Sequence, residues 1–163
     1  ENHQNRLSFT LIRNLPVDNF QVRRLKVEDA EEITRIYADI TRRPVEPDFK
    51  SVVEEHAKSG EEACFVAEHQ GKVVGFMISY ILTAGFGEAK SAWIATLGVD
   101  PNFMGRGIGG SMAQKIFEIY RAAGVENVYT TVRWDSTDML SFFKTLGFDR
   151  SNFINLRKIL STT

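Results

Sequence analysis

The sequence predicts an α/β fold with a mixed, mostly antiparallel central sheet and helices on both faces. Three observations predict it. The β-branched and aromatic runs "ACFVAEH" and "KVVGFMISYIL" flank Gln70-Gly71-Lys72 and read as an antiparallel hairpin, which "SAWIATLGVD" extends into a meander. Helical periodicity brackets the meander on both sides. After it come a helix and a further strand, and such a β-α-β unit makes its two strands parallel or nearly so.

In chain order, "SFTLIRNL" (residues 8–15) is a short extra strand ended by Pro16, within an N-terminal extension spanning 1–19. A single domain spans 20–163. "FQVRRLKV" (20–27) alternates in part and reads as a strand. In "EDAEEITRIYADITR", Ile33, Ile36, Tyr37 and Ile40 recur at spacings of three and four, which marks an amphipathic helix. Pro44 and Pro47 end it, and Asp48 caps a second helix running to about Lys58. The hairpin follows, then the turn "GFGEAK" and the third meander strand. The next helix carries Ile108, Met112, Ile116, Ile119, Tyr120 and Ala123 on one face and stops at Gly124. "NVYTTVRW" (127–134) is a strand. "STDMLSFFKTL" is a helix capped by Ser136 or Thr137 and ended by Gly147. "FINLRKIL" (153–160) closes the chain as a last strand.

A chain of 163 residues can bury a sizeable core. Its formal net charge of -1 gives no electrostatic case for nucleic acid or an acidic membrane as partner. The single cysteine, Cys64, excludes an intrachain disulfide framework and reads as a small buried hydrophobe, which fits a reducing, cytoplasmic setting. No apolar run is long enough to span a bilayer, and "ENHQNRLS" lacks a signal-peptide core. No His/Cys/Asp/Glu cluster has metal-ligand spacing, so no metal is expected.

The stretch "DPNFMGRGIGGSM" (100–112) concentrates glycine at positions 105, 107, 109 and 110. A strand, a glycine loop and a helix N-terminus make an anion site, because the first helical N–H groups lack partners and the helix dipole places positive charge there. Arg106 adds a fixed charge. Three pyrophosphate-bearing or triphosphate ligands compete for such a cradle. Gly105, Gly107 and Gly110 fit the dinucleotide G-x-G-x-x-G spacing with Asp135 as the downstream acid, but three meander strands precede the loop. A P-loop is disfavoured because Ser111 is not preceded by Lys. The third ligand is coenzyme A.

"TLGVDPNFMGRGIGGSM" resembles the acetyl-CoA-binding segment of the GNAT family of N-acetyltransferases, Q/R-x-x-G-x-G/A after a strand ending L-x-V-x-P. Leu97, Val99 and Pro101 match the strand end, and Gly107 and Gly109 match the motif glycines. Met104 replaces the Gln/Arg. "VRWDSTDMLSFFKTLGF" is similar to the family's later segment, with Gly147 and Phe148 matching its end. The resemblance covers roughly residues 20–160 and implies the acyl-CoA N-acyltransferase fold.

It further implies acetyl-CoA as the acetyl-donor cosubstrate, lying where the strands 92–99 and 127–134 splay apart. The implied contacts are Leu97, Gly98 and Val99 on the strand; Met104, Gly105, Arg106, Gly107, Ile108, Gly109 and Gly110 in the loop and helix start; and Ser136 and Phe143 in the late segment. The Val99 main chain is the implied donor to the oxygen that turns negative during acyl transfer. The implied reaction is direct attack by an amine of a small molecule or peptide.

The catalytic acid and base are not legible. Phe143 stands where many members carry a Tyr acid, and Ser136 where many carry Asn. Ser141 and Tyr129 are alternative proton sources acting through water. The strand "SAWIATLGV" holds no carboxylate, and Glu88, just upstream in the turn, would reach only through water. His3, His56 and His69 read as solvated. Trp93 and Trp134 flank the expected opening and read as packing residues. Acceptor selection is expected in "TRRPVEPD" and "DRSNF", whose mixed charges select nothing. A homodimer would use the last strand or the N-terminal segment.

The sequence therefore reads as an acetyl-CoA-dependent N-acetyltransferase. A non-catalytic acyl-CoA-binding domain is the alternative, on the strength of Phe143 and the missing strand carboxylate. A dinucleotide-binding oxidoreductase rests only on glycine spacing.

Overall fold

A computed structural model describes residues 19–42, 48–59, 63–85 and 88–160. They fall into two compact units, Glu1–Thr130 and Thr131–Thr163. In the first unit five strands form one sheet in chain order: β1 Phe20–Arg24, β2 Phe65–His69, β3 Lys72–Gly85, β4 Glu88–Val99 and β5 Asn127–Thr130. The first three pairings are antiparallel and β4–β5 is parallel. Helices α1 Ala30–Thr41, α2 Phe49–Ser59 and α3 Ile108–Ala122 cover it.

The two-residue period of the strands sorts the helices to opposite faces. Val66, Phe76 and Ile78 point to the side of α1 and α2, where they pack with Ile33, Ile36 and Val53. Phe65 and Met77 point the other way, and the Phe65 ring meets the edge of Tyr120 on α3. The Tyr120 hydroxyl bonds Ser79 of β3, and Ser79 in turn donates to the Ala63 carbonyl. Burial pushes the Tyr120 phenol up to about 12, with the Ser79 bond opposing that rise.

Helix α1 starts against Asp29, which accepts from the Lys26 N–H at 2.8 Å and holds both outer nitrogens of Arg23 at 2.7 and 2.8 Å. It stops at Arg42, whose left-handed φ of 52° lets its N–H return to the Ala38 carbonyl.

Four expectations need correction. The first strand ends at Arg24, and a 3-10 turn occupies Val27–Asp29. Glu88 opens β4 opposite Gly85 instead of lying in the turn, because β3 and β4 keep pairing beyond the apolar runs. Strand β5 ends at Thr130 rather than Trp134, since its β4 pairing stops there. The expected last strand does not form: residues 153–160 have no strand structure, and Ile154, Leu156, Ile159 and Leu160 are exposed. Their apolar character is insufficient because β-propensity expresses packing on paired neighbours, and the dimer expectation loses that strand. The expected strand at 8–15 lies outside the described residues.

The second unit carries α4 Thr137–Thr145, ended by Gly147 at φ 87°. Phe143 is buried within it, edge-on to Phe142 at 5.4 Å and Phe148 at 5.0 Å.

Candidate active site

Strand β4 has two halves. From Ser91 to Ile94 it is flanked by β3 and β5, and the last β5 pair is Ile94 with Thr130, whose hydroxyl also donates to the Ile94 carbonyl at 3.1 Å. At the next residue the β3 ladder slips: Ser79 faces Ile94 while Ile78 faces Thr96, so Ala95 is the extra residue of a bulge. A bulge bends its strand and increases its twist. The bulge and the end of β5 pairing therefore coincide, and the rest of β4 runs on without β5 beside it.

Ladder geometry orients the main chain of that second half. The Asp100 N–H donates to the Val74 carbonyl at 2.8 Å, which makes this a hydrogen-bonded pair. Such pairs alternate in an antiparallel ladder. Gly98 and Thr96 thus turn their polar groups to β3, whereas Val99 and Leu97 turn theirs to the opened edge. Of the three expected strand contacts, Val99 and Leu97 offer free main-chain direction and Gly98 does not. Gly98 is also tightly packed: a Cβ there would sit 2.6 Å from Ile40 Cδ1 and 2.8 Å from Phe76 Cε1.

Asp100 anchors the end of the strand. Its carboxylate is fully buried, accepts from Arg35 of α1 at 2.6 Å, and caps the Pro101–Phe103 turn through the Asn102 N–H at 2.9 Å. Burial alone would raise its pKa, but Arg35 and the Asn102 N–H outweigh it and hold the carboxyl below the usual range.

The glycine loop follows. Gly105 and Gly107 both have φ of 77°, a conformation other residues rarely adopt. Gly107 is the N-cap of α3 and supplies no side-chain cap, and no acid stands in the first turn. The first intrahelical bond runs from the Ser111 N–H to the Gly107 carbonyl, so the N–H groups of Ile108, Gly109 and Gly110 precede the helical ladder. Buried Ile108 anchors the turn. A Cβ at Gly110 would meet no atom within 4 Å, so packing does not demand glycine there. Arg106 lies over the Phe103 ring, 5.3 Å from its centroid, and Met104 is half exposed. Loop and helix start thus present backbone donors, one guanidinium and clear space, which fits a pyrophosphate.

A family model described as the acetyltransferase (GNAT) family matches residues 30–148. This chain is a member of the GNAT acetyltransferase family. A 100-residue stretch, 60% of the chain, is 32% identical to an uncharacterised N-acetyltransferase of Methanocaldococcus jannaschii and spans 43% of that relative's length. The fold is similar to a possible acetyltransferase from Clostridium difficile 630, with TM-score 0.76 at 13% identity over 88% of this chain and 99% of the other. It is also similar to the aminoglycoside N-acetyltransferase AAC(6')-Iy solved with the bisubstrate analogue CoA-S-monomethyl-acetylneamine, with TM-score 0.71 at 17% identity over 88% and 100% of the two chains. Membership of the GNAT family and the mostly antiparallel sheet remove the oxidoreductase reading, which required a parallel dinucleotide fold. Asp135, its downstream acid, is instead paired with Arg133 on the surface at 2.6 Å.

The remaining expected site residues are divided between the two units. Glu88 is the first residue of the 12-residue β4, at the opposite end from Val99. Tyr129 of β5 stacks on Trp93 of β4 at 4.9 Å. In the second unit Ser136 precedes α4 without a side-chain cap, Ser141 is exposed, and Trp134 is 86% exposed rather than packed. His56 is not merely solvated: its Nε2 lies 2.9 Å from the Tyr80 hydroxyl of β3. Nothing in the sequence spacing marks that pair. The "TRRPVEPD" segment lies largely outside the described residues. Among the described residues no group of three or more His, Cys, Asp and Glu could hold a metal, and no helix is long and apolar enough to cross a membrane.

Proposed function

We propose that this protein transfers the acetyl group of acetyl-CoA directly to an amine of a small molecule or peptide in the cytoplasm. The observation that carries the reading is the uncapped start of α3, with Arg106 beside it, at the end of a strand whose outer edge is open. When bound, acetyl-CoA supplies a thioester whose carbonyl oxygen gains charge during transfer. The N–H groups of Ile108, Gly109 and Gly110 and the Arg106 guanidinium bind the pyrophosphate. The main chain of Leu97 and Val99 pairs with the pantetheine arm as a partial strand, and the Val99 N–H donates to the thioester oxygen. Such a donor is backbone, so no side-chain departure removes it. The family relatives named N-acetyltransferases support the chemistry, and the relative holding a CoA bisubstrate analogue supports the donor.

A second reading is a non-catalytic acyl-CoA-binding domain. Phe143, with no proton to give, and the lack of a carboxylate along Ala92–Val99 favour it. Incubation with acetyl-CoA and a panel of sisomicin, spermidine and an alanine-initiated peptide separates the two. Release of CoA thiol with a one-acetyl mass gain on an amine supports the enzyme; tight CoA binding with no transfer supports the binding domain.

A further inference from the structure

Beyond Ala95, β4 keeps β3 along one edge and its pairing with β5 has ended. Helix α1 touches that half of the strand at two points. Ile40 rests on Gly98, where a Cβ would sit only 2.6 Å from Ile40 Cδ1. Arg35 donates from Nη2 to the Asp100 carboxylate at 2.6 Å. Gly98 and Asp100 are two residues apart and so share the α1 face of the strand, with Val99 between them. The helix therefore grips β4 on either side of the residue whose main chain turns to the opened edge. Both grips are braced. The Asp100 N–H is held by the Val74 carbonyl at 2.8 Å, and its second carboxylate oxygen by the Asn102 N–H at 2.9 Å. Glu32 and Asp39, one turn to either side, hold Arg35 at 2.7 and 2.8 Å. Ile40 packs on the cluster of Ile33, Ile36 and Phe76, and Phe76 is the β3 partner of Gly98.

We propose that Arg35 and Ile40 are positioning residues that fix the Val99 N–H for catalysis, acting through Asp100 and Gly98. The inference rests on the acetyl-transfer reading above, and neither residue belongs to the cofactor contacts of that reading. The thioester oxygen gains charge only as the amine adds, so a donor held in advance favours the transition state over the bound ester. A strand with one free edge has lost half of its lateral restraint, and a displacement of about 1 Å at a reacting centre costs about 100-fold in rate. Helix α1 supplies the missing restraint from the face of the strand, which leaves the edge open to the ligand. Pyrophosphate binding draws on donors at the start of α3, which buried Ile108 anchors separately. Arg35 and Ile40 therefore act on kcat rather than on CoA affinity.

Kinetics with acetyl-CoA and the amine panel above use Arg35→Ala, Arg35→Lys and Ile40→Ala, each scaled to its cooperatively folded fraction. The expected result is a fall in kcat of about 10- to 100-fold in Arg35→Ala and Ile40→Ala, with partial recovery in Arg35→Lys. The calorimetric Kd for CoA, which has no thioester carbonyl, stays within about threefold of wild type. The sequence has two Gly-Val steps, 98–99 and 124–125. Glycine labelled with carbon-13 at the carbonyl, combined with nitrogen-15 valine, therefore isolates the Val99 and Val125 amides by NMR. In the variants the Val99 signal is expected to move and the Val125 signal to stay, without any substrate. Where Arg35→Ala does not fold, Arg35→Lys is read in its place, with a smaller loss expected. Wild-type kcat in the folded variants, an unmoved Val99 amide, or a loss of CoA affinity as large as the loss of kcat overturns the positioning role and leaves acetyl transfer standing. A wild-type protein that binds CoA yet acetylates no amine overturns both.

Discussion

Arg35 of α1 and Asp100 at the end of β4 are joined by a 2.6 Å ion pair whose carboxylate is buried and whose guanidinium is about one-third exposed. The pair ties the helix on one face to the point where the strand turns into the glycine loop. Arg35 also reaches Glu32 at 2.7 Å and Asp39 at 2.8 Å, so it is fixed from three sides. Removing it leaves a buried carboxylate without its cation. Arg35→Ala is expected to cost about 2 kcal/mol in urea unfolding, less than a fully buried pair because Arg35 is partly solvated.

The same pair sets a pH dependence. The folded-state pKa of Asp100 is depressed, so its contribution to stability is fully present above its unfolded value, about 4, and is lost as pH falls through the lower folded value. In Arg35→Ala the burial that raises the pKa remains while the bond that lowers it is gone. The acid-unfolding midpoint, followed by circular dichroism, is expected to move to higher pH in that variant.

Gly110 separates packing from ligand binding. Alanine there meets open space and replaces a glycine within α3, so stability should rise by about 0.5–1 kcal/mol. Its methyl nevertheless enters the proposed phosphate cradle. Gly110→Ala is expected to raise Tm while weakening CoA binding by about tenfold or more, read by calorimetric titration. A gain in stability with unchanged affinity would remove Gly110 from the cradle.

Gly98 makes the opposite case. A Cβ would press on Ile40 and Phe76, so Gly98→Ala should lose about 1–3 kcal/mol. Ile40 Cδ1 is the mobile end of its side chain, and pairing the variant with Ile40→Val should recover part of the loss in chemical denaturation.

Much of the fold was legible because its signals are local. Ile33 and Ile36 on α1, the Gln70-Gly71 hairpin, and Gly107 before α3 each announce themselves within a few residues. The glycine loop was legible for the same reason: a glycine cluster at a strand-to-helix junction marks a sharp turn, and Gly105 and Gly107 both take φ of 77°. The failures are long-range. "FINLRKIL" has strand-forming residues, but a strand requires a partner edge that no local pattern supplies. The end of β5 at Thr130 and the bulge at Ala95 depend on how three strands pair, and "NVYTTVRW" alone carries no sign of it. His56 and Tyr80 are 24 residues apart and meet only because α2 packs over β3. The tight packing of Gly98 was not legible either, because its neighbour Ile40 comes from a distant helix.

Coenzyme A binding at the start of α3 and the open edge of β4 is what the proposed function stands on. Calorimetric titration with CoA, acetyl-CoA and NAD, on the wild type and on Gly107→Glu, tests it most directly. Gly107 caps α3 at φ 77°, so a glutamate there places strain and a negative charge at the helix start. The expected result is binding of CoA and acetyl-CoA, no binding of NAD, and loss of CoA binding in a Gly107→Glu protein that still unfolds cooperatively. CoA binding that survives Gly107→Glu, or a wild type that binds no CoA, would contradict it.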